Sequence, residues 1–351
     1  MNRLVIIGNG FDLAHGLPTS YKDFIEDYFV NCLNSFFENN IYEDKLISIK
    51  HKMSGYSMLD TPKVDSIEGF FSYIKQQSHY VSLHFKSEFF NIINKKIETL
   101  KWVDIENEYF EELKKCINSN RYLNTKKLET LNTEFNFIKV KLENYLSKTI
   151  KSSKTPISPN KYSRIFSDFI YKEEVLLADL VENKLPDNIL VLNFNYTSTV
   201  ENSVNSIKTI PTEINYIHGI LDFNENPIIF GFGDEYDEDF RGFENLKNNS
   251  LFEHIKSFNY FKTPNYHNLI KFLEADDYQV YIVGHSCGLS DRTMLKEIFE
   301  NQKCKSIKIF FYEKADGTND FVEKTMEISR HFEDKGLMRK KIVPFPQSKK
   351  M

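Results

Sequence analysis

The chain has 351 residues, 27% charged and 41% hydrophobic, with a formal net charge of −5 and a pI near 6.0. A chain of this make-up buries an ordinary core, which excludes wholesale disorder, and it carries no basic footprint for nucleic acid. The four cysteines (Cys32, Cys116, Cys287 and Cys304) are scattered with no close pair, which argues against a structural zinc site.

In chain order, the first predicted element is a strand. Leu4 to Ile7 is an uninterrupted apolar run of the kind buried on both faces in a parallel sheet. Gly8-Asn9-Gly10 follows at once, a tight turn that suits a pyrophosphate resting on backbone N–H groups. The dinucleotide fingerprint asks for a third glycine at position 13, where Leu13 stands. Charged Asp12 ends the apolar run too early for a signal peptide, and no 18-residue apolar segment is present to span a bilayer. A reducing, cytoplasmic location is expected.

From Lys22 to Asn183 only Gly55 and Gly69 occur, and the apolar spacing is helical in 102–117, 128–150 and 163–185. This span, 22–183, is read as an all-helical insertion after the first strand. Short β-rich runs then appear at 188–194, 214–219, 227–233, 278–284, 306–312 and 341–345, with helical stretches at 291–302 and 319–333. The fold class expected is therefore α/β, a Rossmann-type, mostly parallel sheet built from 1–21 and 184–351. The first strand should lie beside the 188–194 or the 278–284 strand.

Ligands of such sheets bind at the carboxyl ends of strands. Those ends hold Gly8-Asn9-Gly10, Asn195-Tyr196, His218-Gly219, Gly231 to Asp234 and Gly284-His285-Ser286. The opening "GNGFDLAHGLP" resembles the sirtuin opening, with Asp12 in the serine position. "NFNYT" resembles the sirtuin asparagine motif, with Asn195 on its asparagine and Thr197 on its aspartate. His218-Gly219 and Gly284-His285-Ser286 match two later sirtuin motifs. More closely, "NGFDLAHGLPTSYKDF", "WVDIE", "LNFNYT" and "IHG" are similar to the bacterial AbiH family of phage abortive-infection proteins, over nearly the whole chain.

The resemblance implies an anti-phage effector with a sirtuin-like core that takes NAD as its substrate and hydrolyses it to nicotinamide and ADP-ribose. It implies Asn195 and His218 as catalytic residues, the first orienting water or ribose and the second acting as general base. Gly8, Asn9, Gly10, Asp12, Tyr21, Thr197, Gly219, Gly284 and Ser286 would bind the dinucleotide, with no metal. A deacetylase is not expected, because the paired cysteines of that zinc module are missing. Two alternatives remain open: a module that senses NAD or an ADP-ribose derivative without catalysis, and a nuclease-type effector. Self-association through the helical span and a phage trigger are the expected partners. Asp12 reads equally as an N-cap for the first helix, His15 as a histidine packed behind the turn, and Tyr21 as an anchor of the insertion. His285 reads as structural, Glu201 as bonded within the fold, and the acidic run 233–240 as a solvated loop.

Overall fold

The opening apolar run becomes a central strand. The computed structural model describes residues 1–52, 63–100, 104–118, 122–152 and 159–351. Its strands are β1 (Asn2–Ile7), β2 (Ile41–Glu43), β3 (Ile47–His51), β4 (Val81–Phe85), β5 (Ile189–Asn193), β6 (Thr212–Tyr216), β7 (Tyr278–Val283), β8 (Cys304–Phe311) and β9 (Lys349–Lys350). The chain divides into two compact units, one of Met1–Leu17, Ser152–Gly242 and His254–Met351, the other of Pro18–Lys151 and Phe243–Glu253.

The first unit carries one sheet in the order β6-β5-β1-β7-β8-β9, with every pairing parallel. Numbered within this sheet alone, the order reads 3-2-1-4-5-6, the Rossmann order, and it reverses between β1 and β7. β1 thus lies beside both of the strands that were the alternative expected neighbours. Ile7 sits opposite both Asn193 and Val283, so the carboxyl ends of β5, β1 and β7 are level.

Leu4, Ile6, Val280 and Ile282 bury one face of the sheet with Leu295 and Phe299. Val5, Ile7, Val191 and Val283 bury the other with Phe11 and Phe166. Burial on both faces is why these strands read as unbroken apolar runs.

One end of the sheet breaks that pattern and corrects the predicted helix over 163–185. Arg3 is wholly buried on β1. It donates to the carbonyls of Phe166 (2.7 Å), Asp168 (2.5 Å) and Phe169 (3.2 Å), and to Gln279 Oε1 (3.1 Å). Those carbonyls belong to the end of the helix Pro159–Phe166 and to the residues just past it, and the guanidinium satisfies them so that the helix stops there. Beyond it, Glu174 turns inward to an ion pair with buried Lys308 and accepts from Gln279 Nε2 at 3.1 Å. A charged pair held by the sheet outweighs the helical spacing of the segment. The runs 227–233 and 341–345 likewise supply only single bridges, Phe232 to Ile255 and Ile342 to Ile307.

The second unit is not all helical. β2, β3 and β4 form an antiparallel sheet alongside its helices, and strands of three to five residues leave almost no periodic signal. Its core is aromatic: Phe29 lies 4.8 Å from Phe70 and 5.6 Å from Phe90, and Tyr109 lies 4.1 Å from Phe135. Ser20 and Asp23 close a capping box on the helix Tyr21–Asn39, and Asp104 caps Ile105–Lys114. Trp102, at the head of "WVDIE", lies outside the described residues. Asn132 Nδ2 donates to Ser250 O at 2.8 Å and Phe243 packs on Phe110 at 5.8 Å. These contacts tie 243–253 to this unit, so its boundaries differ from 22–183.

Candidate functional site

Two polar clusters form where β5, β1 and β7 end. The first joins the opening motif to the asparagine motif. Thr197 Oγ1 donates to Asp12 Oδ2 at 2.7 Å, and Thr199 Oγ1 donates to Thr197 Oγ1 at 3.1 Å. Asn193 shapes the turn between them: its Nδ2 donates to Thr197 O at 3.0 Å and its Oδ1 accepts Asn195 N at 3.0 Å. Asn195 Nδ2 then reaches Gly8 O at 3.0 Å.

Asp12 is 1% exposed, and its Oδ1 has no hydrogen-bond partner. Burial pushes its pKa up to about 6, against the opposing bonds from Thr197, Thr199 and Asn195. It makes no cap bond at the start of the helix Asn9–Ala14, whose N-cap is Gly8. Asp12 is a buried carboxyl bonded across the sheet edge.

The second cluster is built on Asp291. Lys256 Nζ donates to Asp291 Oδ1 at 2.8 Å, and His218 Nε2 lies 3.3 Å from the same oxygen. His285 Nε2 lies 3.8 Å from Asp291 Oδ2. Tyr260 OH meets His218 Nε2 at 3.1 Å with its ring parallel to the imidazole, and Phe194 stands edge-on to both histidines. Burial lowers the pKa of His218, aided by the Lys256 charge, and burial pushes that of His285 down to about 3. The Lys256 charge, with a bond to His218, holds the Asp291 carboxyl well below the usual range despite its burial. Both histidines are therefore neutral at pH 7. His218 Nε2 faces both the Tyr260 hydroxyl and the Asp291 carboxylate, and bonds to Asp291 and to the Phe194 backbone oppose the lowering.

The glycines meet protein rather than open space. A Cβ on Gly8 would lie 2.6 Å from His285 Cα, and one on Gly10 would lie 2.8 Å from Gly284 O. Gly10 N already donates to that carbonyl at 2.8 Å. Gly284 has φ +70° and a Cβ there would meet Phe11 N at 2.3 Å, so only glycine fits. The loops after β1 and β7 lock together by backbone contact at the point where the strand order reverses. Gly10→Val is accordingly expected to lower stability strongly and to cost soluble yield, not only ligand affinity. Thermal unfolding of Gly10→Val at the parent temperature would overturn this.

Of the other predicted site residues, Asn9 and Ser286 are exposed at this edge. Gly219 is buried against the Pro227 carbonyl. Tyr21 begins the helix Tyr21–Asn39 of the second unit. His15 packs behind the turn on Phe11 and Tyr162, 4.5 and 4.9 Å between ring centres. Glu201 accepts from Tyr216 OH at 2.7 Å. Asp234 of the acidic run pairs with Arg292 at 3.1 Å, and no metal-holding cluster of His, Cys, Asp and Glu occurs among the described residues. No described helix is long and apolar enough to cross a membrane. Sequence reasoning missed Asp291, Lys256 and Tyr260. Only Asp291 carried a signal, an acidic residue just before the helix Arg292–Glu300; nothing in the spacing marks the other two.

No curated protein matches the chain. The family model described as bacteriophage abortive infection AbiH matches residues 4–313, taking in both polar clusters, and on that match the chain belongs to the AbiH family.

Proposed function

We propose that this AbiH protein acts in abortive infection by hydrolysing NAD to nicotinamide and ADP-ribose at the carboxyl edge of its parallel sheet. The bond from Thr197 to Asp12, 2.7 Å long, carries the reading. In the sirtuin pattern that the motifs resemble, a serine stands at position 12 and an aspartate at 197. Here carboxyl and hydroxyl have changed places and bond to each other, beside Asn195 and the Gly8 carbonyl. An exchange of that kind keeps one carboxyl group at this edge.

Cleavage places oxocarbenium-like charge on the ribose as nicotinamide departs with the bonding electron pair. Asp12, with its pKa near 6, is mostly ionised at pH 7 and offsets that charge. A water oxygen bonds to the ribose carbon, and neutral His218 accepts the water proton. The Asn195 amide holds the loop, or the water, in register.

One observation favours a second reading, binding of NAD without cleavage: His218 is wholly enclosed and both of its nitrogens already have partners. The test is to incubate pure protein with NAD and follow nicotinamide release by chromatography, with calorimetry for binding and plasmid DNA and RNA in parallel. Release supports hydrolysis, binding alone supports the sensor, and degraded nucleic acid with intact NAD overturns both.

A further inference from the structure

The backbone lock at Gly8, Gly10 and Gly284 has a chemical consequence. The inward faces of these glycines are filled by the opposing loop, whose nearest atoms would lie 2.3 to 2.8 Å from an added Cβ. A diphosphate arriving at the reversal point must find its counter-charge from another group at this edge. Two cations there are engaged, Lys256 with Asp291 at 2.8 Å and Arg292 with Asp234 at 3.1 Å.

Lys324 is different. It lies on the helix Phe321–Ser329, which follows β8, and its Nζ donates to His285 O at 2.7 Å. That carbonyl belongs to the β7 loop that locks against Gly8 and Gly10, and exposed Ser286 is the next residue. Among the described residues Lys324 has no carboxylate at ion-pair distance. A half-buried ammonium bonded only to a neutral carbonyl keeps two donors and a full positive charge. Held at one point by the loop, it is also partly pre-ordered.

We propose that Lys324 is the phosphate-receiving residue of the carboxyl-edge site, and that this site takes nucleotides carrying a diphosphate rather than nucleosides. The proposal rests on the NAD reading and assigns the charge contact that the glycine turn does not supply. His285 O ties the ammonium to the reversal point, so ligand charge and loop position are read by one side chain.

The experiment titrates ADP-ribose and adenosine into the parent protein, Lys324→Gln and Lys324→Arg by calorimetry at two salt concentrations. Gln keeps a donor for His285 O and removes the charge; equal thermal unfolding confirms its fold. Lys324→Gln is expected to weaken ADP-ribose about 10- to 100-fold, the range for a hydrogen bond between charged groups, and to flatten the salt dependence. Adenosine affinity should stay the same, and Lys324→Arg should recover most of the loss. Equal ADP-ribose affinity in the parent and Lys324→Gln overturns this assignment alone. A parent protein that binds neither probe overturns the NAD reading, and the assignment with it.

Discussion

His218→Ala is expected to slow NAD cleavage about 100- to 10,000-fold, the usual contribution of a general base, while NAD still binds. Binding should survive because the Lys256–Asp291 pair, at 2.8 Å, stands without the imidazole. Truncation opens space beside Tyr260, so His218→Gln is the companion variant; it can still bond the tyrosine hydroxyl yet takes up no proton. Asn195→Ala should behave similarly, and the double variant should lose little more, since groups serving one step are not additive. The pH profile offers a second readout. Burial and the Lys256 charge lower the His218 pKa, so the ring stays neutral below the pH at which an ordinary histidine would protonate, and the fall in rate near pH 6 should follow protonation of Asp12 instead. Nicotinamide release at the parent rate from folded His218→Ala overturns the base assignment. A parent that binds NAD and releases no nicotinamide leaves the binding-only reading standing.

Asp12→Asn is expected to change the pH dependence of stability with a definite sign. The folded pKa of Asp12 is about 6, and its ordinary value is 3.8. Between these values the folded chain holds a proton that the unfolded chain has lost, so this group's contribution to stability falls as pH rises from about 4 to 6. Above pH 6 the penalty is complete, about 3 kcal/mol from the separation of the two values. Asn carries no such penalty. It places an amide where Oδ1 has no partner, which costs about 1–3 kcal/mol at every pH. The diagnostic is therefore a difference: relative to the parent, Asp12→Asn should gain about 2.5 kcal/mol between pH 4 and pH 7.5 in denaturant unfolding. A stability difference that is flat across that range would show that Asp12 titrates normally. The same variant should lose NAD cleavage if an ionised Asp12 offsets ribose charge.

The parallel sheet was legible because both of its faces are buried. Leu4–Ile7, Ile189–Leu192 and Val280–Val283 appear as unbroken apolar runs for that one reason. The glycines, Asn195 and His218 were legible because they stand where such runs end. The three-stranded sheet of the second unit was not, since strands of three to five residues carry too little pattern. Nor was the stop at Phe166, because a buried arginine on a strand more than 160 positions away satisfies the helix carbonyls.

Composition and local pattern by themselves determined the fold class, a place for the first strand beside the 188–194 or the 278–284 strand, and the edge at which chemistry should be sought. Each follows from forces acting within a few residues: apolar burial and the conformational reach of glycine. Tertiary structure alone decided that Asp12 meets Thr197, that Lys256, His218 and His285 gather around Asp291, and that the glycine turn is filled by Gly284 and His285. Apart from His285 with Asp291, these are contacts between segments tens to hundreds of residues apart. Their strength comes from burial, where an unpaired charge or a misplaced Cβ is most costly, and burial is set only when the whole chain has folded.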